Sequence, residues 1–308
     1  MSFSSDVKDE LIGRMPSAQH CRIAELCGYF VYKGMLLSDD TLEFVTENPA
    51  IAKKVFTFLK KSFNIGLVTG SRKVLGRART EQVIHIPDSS ETANLLDALS
   101  LGRSFLREGR LTILREDFLE NPCCKRSFLR AAYCMAGTMN DPGKSYHFEI
   151  AAPEEAIGRI LGRAMDAFSC PAKITTRREN MCLYLKDGDC ISNMLNVMEA
   201  HSSLLRFENE RTVREFRGQV NRQVNLEVSN LRKTAKAAEK QIEDIKLIRD
   251  TVGLDSLPKD LCDMALLRLS NPEAALGELG LMLVPALGRS GVNHRLQKLC
   301  SIAESLRQ

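Results

Sequence analysis

The sequence lacks any segment that could span a bilayer: no apolar stretch approaches the roughly 20 residues that a transmembrane helix needs. The longest candidate, "LGLMLVPALG" (279–288), is short and contains a proline. A secretion signal is lacking too, because "MSFSSDVKDELIG" puts two aspartates, a lysine and a glutamate where a signal needs an apolar core. The expected location is therefore the cytoplasm. Paired cysteines are lacking as well: none of the ten lies in a C-x-x-C pair, and most fall in apolar periodic segments. A disulfide framework would be out of place in a chain of this size without a secretion signal. The "HC" pair at 20–21, followed by Cys27, poorly imitates zinc-ligand spacing. The sequence thus leads us to expect reduced thiols, no metal and no cofactor.

A strong charge excess is also missing. The 308 residues carry a net charge of only +4, with 44% apolar and 27% charged residues, so composition alone does not announce nucleic acid. It fits a globular chain of two or three domains. The distribution of charge says more. Residues 206–240 hold nine Arg or Lys against five Glu, an excess equal to that of the whole chain. Arg222, Arg232, Lys233 and Lys236 lie in that stretch. Residues 70–80 ("GSRKVLGRART") carry Arg72, Lys73, Arg77 and Arg79 unopposed by any acid, and residues 286–298 add Arg289, Arg295 and Lys298, also with no acid. Three basic clusters suggest a polyanionic partner.

The first 205 residues contain an internal repeat. An apolar run, "AELCGYFVYKG" (24–34), and a related one, "LRAAYCMAG" (129–137), each end on glycine. The first is followed by an alternating run (41–48), a proline-led helical pattern (49–63), a hairpin-like stretch (65–86) and a capped helix (89–99). The second is followed by a strand (145–152), a proline-led helix (153–168), a hairpin with the charged turn "RREN" (172–188) and a closing helix (190–198). Gly34 to Gly137 is 103 residues and Pro49 to Pro153 is 104. The reading is a duplicated α-β-α-β-β-α unit with pseudo-two-fold symmetry, its copies at about 18–100 and 122–200.

A proline-free basic bridge (206–254) follows, expected as one long or two shorter helices. Val220, Val224, Leu226 and Leu231 are too sparse for a buried face, whereas Ile242, Ile245 and Ile248 suggest a seam. Residues 255–308 are expected to form four short helices (258–269, 272–282, 289–298 and, continuing or breaking there, up to 306). Within them, 275–299 fits a helix-turn-helix, with Ala275, Leu276 and Leu279 on the apolar side of its first helix. Ser290 stands where an N-cap belongs. Val292, Leu296 and Leu299 would face the core, leaving Ser290, Asn293, His294, Gln297 and Lys298 outward, with Arg289 and Arg295 on the flanks. Asn and Gln can pair bidentately with adenine, Ser and His can bond base edges, and Arg and Lys can hold phosphates. Gly291 would permit close approach near the helix start. Arg295 borders the apolar stripe and could lie over the core instead.

"LCGYFVYKG" (26–34) and "LRAAYCMAG" (129–137) resemble the nine-residue signature helices of LAGLIDADG homing endonucleases. The resemblance implies two helices packed at a pseudo-two-fold axis beneath a DNA-gripping saddle of strands, with an acid at the eighth signature position holding divalent metal. Here those positions are Lys33 and Ala136, and the sixth are Val31 and Cys134. Lysine and alanine cannot ligate Mg²⁺. Gly28 and Ala131, third in each signature, would let the helices approach closely. The whole chain is similar to the WhiA family of bacterial regulators, in "MSFSSDVKDEL", in "NRQVNLEVSNLRKTAKAAEKQIEDI" (221–245) and in "SGVNHRLQKL" (290–299). That resemblance implies a degenerate LAGLIDADG-like domain joined to a helix-turn-helix resembling sigma-factor region 4. It implies a nucleoid-associated transcription regulator of sporulation and cell-division genes that binds double-stranded promoter DNA without nuclease activity; the internal repeat, which already supplies a two-fold, leads us to expect a monomer. Two alternatives stand beside it. One is a homing endonuclease or maturase drawing acids from Asp39, Asp40 or Asp141. The other is an interaction protein contacting RNA polymerase, a sigma factor or a co-regulator.

Overall fold

The structure is a computed structural model that describes residues 2–73, 80–106, 108–177 and 180–307. Arg77 and Arg79 of the first basic cluster, and residues 178–179 of the "RREN" turn, lie outside the described residues. The chain divides into two compact units, 1–214 and 215–308. The domain edge expected at 205/206 and the bridge expected over 206–254 both meet one continuous helix, inside which this division falls.

The first unit opens with α1 (Phe3–Gly13), whose start is capped by the Ser2 hydroxyl accepting from Ser5 N–H at 3.2 Å. α2 (Gln19–Lys33) carries the first signature and leads directly into β1 (Gly34–Leu36). Then come β2 (Leu42–Thr46), α3 (Pro49–Phe63), β3 (Val68–Lys73), β4 (Thr80–Ile86) and α4 (Ser89–Ala98). Pro49 occupies the first turn of α3, where its missing N–H costs nothing, and Asn48 accepts from Ala50 N–H at 2.9 Å. A two-stranded ladder, β5 (Leu101–Arg103) with β6 (Leu111–Ile113), precedes the second copy. That copy runs α5 (Pro122–Ala136), β7 (Gly137–Met139), β8 (Phe148–Ala151), α6 (Glu155–Asp166), β9 (Lys173–Arg177), β10 (Asn180–Leu185) and α7 (Gly188–Val197).

The two copies form matching four-stranded antiparallel sheets, ordered β1-β2-β4-β3 and β7-β8-β10-β9. The repeating unit is therefore α-β-β-α-β-β-α, with one strand more than the sequence pattern suggests. β1 and β7 are three residues each, too short to show alternation. Both begin on the signature-final glycine. A side chain at Gly34 would put its Cβ 2.7 Å from the Phe30 carbonyl oxygen, and one at Gly137 would lie 2.2 Å from the Tyr133 ring. These glycines are required by close approach as the chain leaves the helix for the sheet. Pro153 lies just outside α6, whose N-cap is Glu154, so that helix starts two residues later than its proline implies.

α2 and α5 pack against each other along their length and bury Cys21, Ala24–Val31 and Cys124, Ser127–Cys134. At their crossing, a Cβ on Gly28 would sit 2.6 Å from the Ala131 Cβ.

The second unit contains the larger part of α8 (His201–Thr251), then α9 (Lys259–Ser270), α10 (Leu276–Met282) and α11 (Arg289–Leu306). Ile245 and Ile248 of α8 join Leu261, Met264, Leu279, Val292, Leu296 and Leu299 in its core, so the seam is present with Ile242 at its margin. Residues 219–237 of α8 are exposed throughout, including Val220, Val224, Leu226 and Leu231. Three α-helices follow α8, and of the two readings open beyond Lys298, a break or a continuation, the continuation holds. Nothing between Lys298 and Ser301 breaks the last one, which runs 18 residues unbroken. Among the described residues, no helix is long and apolar enough to cross a membrane.

The α2–α5 crossing has no room for a further carbon. Gly28→Ala should lower the stability of the first unit by about 1–3 kcal/mol. Adding Ala131→Gly should restore part of that loss, read as the shift of the urea midpoint for each variant.

Candidate nucleic-acid interface

α10, the turn at 283–288 and α11 form the helix-turn-helix. The Leu287 N–H donates to the Gly280 carbonyl at 2.9 Å, which ties the turn back onto α10. Gly280 permits this, because a Cβ there would lie 2.1 Å from the Leu287 carbonyl oxygen. Leu279 is buried, but Ala275, assigned to the same apolar side, is exposed as the N-cap residue of α10. Its N–H is satisfied by Glu278, which accepts at 2.8 Å. The N-cap of α11 is Gly288, which makes no side-chain capping bond; Ser290 falls inside the first turn. The first amides of α11 and Arg289 thus present a positive helix end suited to a phosphate.

Val292, Leu296 and Leu299 are fully buried, which fixes the rotation of α11. Ser290, His294, Gln297, Lys298 and Arg289 are exposed, and Gly291, Asn293 and Arg295 are half-buried. The outward residues divide into two groups. His294, Gln297 and Lys298 rim a shallow depression of about 470 Å³ with Leu261, Ser301 and Ile302. Arg289 and Asn293 open onto another concavity of about 470 Å³ shared with Lys233, Gln241, Arg268 and Gly277. Lys233 of the basic stretch therefore lies on the Asn293 side. Arg232 lines a different groove, with Ile242, Lys246 and Pro272. Lys236 and Arg222 are exposed elsewhere on α8.

Of the two placements the sequence leaves open for Arg295, a flanking phosphate ligand or a side chain over the core, its contacts favour the second. Its Nε lies 3.6 Å from an Asp260 carboxylate oxygen and its Nη1 donates to the Asp260 carbonyl at 3.4 Å, so its charge is directed at α9. Sequence reasoning missed Arg268 altogether. It is 2% exposed, and its Nε and Nη2 donate to the Gln241 side-chain oxygen at 3.0 and 2.9 Å while Nη1 donates to the Ala274 carbonyl at 2.7 Å. No carboxylate faces it in these bonds, and burial lowers its pKa. This one side chain fixes α8, α9 and the entry to α10 together. The available signal was an arginine amid leucines in "MALLRLS". Asp244, also missed, is fully buried and binds Arg307 at 2.6 Å, pinning the end of α11 to α8.

The signature ends carry no acid: Lys33 is exposed and Ala136 half-buried. The nearby acids are committed to local structure. Asp39 accepts from the Thr41 hydroxyl at 2.6 Å and its N–H at 3.2 Å, and that hydroxyl bond holds its pKa down. Asp40 bonds Arg103 at 2.5 Å, and Asp141 accepts from Gly143 N–H at 2.9 Å. On the sheets, Gly34 faces Phe44 and Gly137 faces Ile150, so Glu43 and Glu149 occupy equivalent positions. Each sits beside an arginine and a histidine. Glu43 lies 3.8 Å from Arg72 and 3.9 Å from His85; Glu149 lies 3.4 Å from Arg177 and 3.2 Å from His147. Arg72 also bonds Glu81 at 3.0 Å, so this candidate DNA contact is opposed by two carboxylates. Lys73, beside it on β3, is exposed.

Two family profiles match the chain: residues 125–217 match the "WhiA LAGLIDADG-like domain" and residues 220–303 the "WhiA C-terminal HTH domain". The chain is 42% identical to the "Probable cell division protein WhiA" of Lachnoclostridium phytofermentans over the whole of both proteins. It is 39% identical to the protein of the same name in Desulforamulus reducens, covering all of this chain and 97% of that one. Among solved structures, full-length WhiA from Thermotoga maritima aligns over 99% of each chain, with 26% identity and a TM-score of 0.60.

The pairing of Arg295 with Asp260 yields a distinction that salt titrations can read. Arg289→Ala should reduce the log–log salt slope for duplex DNA by about 0.9, the value for one lost phosphate contact. Arg295→Ala should leave that slope unchanged. Fluorescence anisotropy at a series of salt concentrations separates the two.

Proposed function

The chain belongs to the WhiA family, and from that premise we propose that it is a sequence-specific DNA-binding transcription regulator of cell-division and sporulation genes without nuclease activity. The observation that carries the reading is the rotation of α11, set by buried Val292, Leu296 and Leu299. It turns a row of base-reading side chains, Ser290, Asn293, His294 and Gln297, away from the core. Such a row on the second helix of a helix-turn-helix suits major-groove readout. Arg289, Lys298 and Lys233 border it and supply the sequence-independent hold on phosphates. The helix-turn-helix profile supports DNA as the partner, and the relatives' name, "Probable cell division protein WhiA", supports the process.

The absence of nuclease chemistry is argued from residue types. Phosphodiester cleavage in this fold needs oxygen ligands for metal at the signature ends. Lys33 supplies a cation there and Ala136 a methyl group, while Asp39, Asp40 and Asp141 already hold their own turns or Arg103. Incubation of the protein with Mg²⁺ or Mn²⁺ and its target DNA should give no site-specific cleavage. Two pseudo-symmetric halves in one chain supply what most DNA-binding proteins obtain by pairing copies, so we expect a monomer by light scattering. Cytoplasmic, nucleoid-associated location follows from the same reading. A protein that instead contacts RNA polymerase, a sigma factor or a co-regulator would show no salt-sensitive shift of DNA.

The decisive test is the reading surface. Each lost base contact should cost about 1–3 kcal/mol of discrimination. Asn293→Ala and Gln297→Ala should each weaken operator binding about five-fold or more and leave scrambled DNA nearly unaffected. A Lys233→Glu/Lys236→Glu pair should weaken both sequences alike. Unchanged operator preference in both alanine variants would move the reading surface to the sheets.

A further inference from the structure

The two signature helices begin, as well as cross, in register. α2 starts at Gln19 and α5 at Pro122, 103 residues later, the same offset that relates Gly28 to Ala131. The second and third residues of each helix are therefore equivalent: His20 with Cys123, and Cys21 with Cys124. The pseudo-two-fold brings these adjacent pairs together. One ligand atom from each residue, the ring nitrogen of His20 and three Sγ atoms, lies within 4.8 Å of every other. His20 Nδ1 is 3.2 Å from Cys124 Sγ, 3.4 Å from Cys21 Sγ and 3.9 Å from Cys123 Sγ.

A single imidazole nitrogen can make one good hydrogen bond, so three sulfurs gathered on it call for another explanation. With Zn–S near 2.3 Å and Zn–N near 2.0–2.1 Å, a tetrahedral site has N···S edges of about 3.6 Å. The three distances straddle that value. Cys21 and Cys124 are buried, whereas His20 and Cys123 are exposed, so the cluster has a fixed floor and an open side for entry. Neither α2 nor α5 has a side-chain cap on its first amides. Two positive helix ends thus point at a complex that, with three thiolates and one divalent cation, would carry one net negative charge.

We propose that His20, Cys21, Cys123 and Cys124 form a Cys₃His structural site for a borderline-soft divalent cation, zinc above all, that clips the two repeats together at the helix starts. Lys33 and Ala136 stand at the opposite ends of the same two helices, so this site is separate from the lost nuclease centre. All four positions are filled by protein ligands, which suits a structural and not a catalytic role. Loading releases the thiol protons to solvent and makes no other bond change. The sequence reading paired "HC" with Cys27 and dismissed the motif. The true partners lie a hundred residues away and only the duplicated fold brings them near.

The test uses the full-length chain, purified without a polyhistidine tag under reducing conditions. Elemental analysis should give about one zinc per chain. Titration of the chelator-treated protein with Co²⁺ should produce the intense visible bands of a tetrahedral thiolate site, saturating at one equivalent and displaced by zinc. Cys123→Ser, at an exposed side chain where folding is retained, should remove the cobalt bands or lower the affinity at least ten-fold. Cys190→Ser, a cysteine outside the cluster, should leave both intact. The proposal is overturned if the reduced protein binds less than about a tenth of an equivalent of either metal. Co²⁺ spectra unaltered by Cys123→Ser overturn it as well. So does mass spectrometry showing that freshly isolated protein carries a disulfide within the cluster instead of metal.

Discussion

The first unit depends on how closely α2 and α5 approach. With no side chain at Gly28 and only a methyl at Ala131, the two backbones come near enough to be packed in register, and the sheets and flanking helices follow from that register. The contact is apolar apart from Glu25 of α2 and Ser127 and Arg130 of α5. Glu25 is completely inaccessible, with Lys54 Nζ at 2.6 Å and Arg130 Nε at 3.4 Å. Lys54 also donates to the Leu11 carbonyl at 3.0 Å, and Arg130 reaches Glu199 at 2.6 Å. A carboxylate buried between two helices costs several kcal/mol unless it is paired. Its two cations draw in α3 and α5, and through them α1 and Glu199, two residues past α7. The charge specifies which neighbours surround the axis, while the apolar contact supplies the driving force.

Much of this was legible before any coordinates. The offset of about 103 residues between repeats, the proline-led α3, the exposed middle of α8 and the core side of α11 all follow from spacing and residue type. What escaped is what spacing does not encode. β1 and β7 are three-residue strands visible only through their partners. Whether α11 breaks or continues past Lys298 was left open by its spacing, and it continues because no breaker interrupts it. Arg72 was read as an unopposed cation, and Arg295 as either a phosphate ligand or a side chain over the core, because their neutralising carboxylates, Glu43 and Glu81 for one and Asp260 for the other, come from other elements. The converse holds for the cysteines. Their grouping with His20 depends on a symmetry operation that a linear motif search does not apply.

The two units divide the physical demands of binding DNA differently. On the sheets, arginine and histidine sit beside Glu43 and Glu149, so a phosphate approaching either sheet meets paired charge. On the second unit, Arg289 and Lys298 are exposed on the helix that also carries Asn293 and Gln297. That helix is pinned to α8 by Asp244 and Arg307, while Arg268 ties α8 to the entry of α10, so the proposed reading residues ride on a fixed support. A helix fixed in this way would lose little entropy on binding, which would favour the proposed discrimination between sequences.

The bare stretch of α8 has a consequence of its own. Residues 219–237 bury no face, so the hydrogen bonds along about 28 Å of helix are sheltered by nothing but neighbouring turns. An isolated helix of that length is marginal in water, and this one survives because its C-terminal part is already nucleated on the core through Ile245 and Ile248. Its amide hydrogens will therefore exchange with solvent far faster than those of α2 or α5, with protection rising towards Ala238. The same segment buries no side chain, and a polyanion laid along its basic side would slow that exchange before changing any fold.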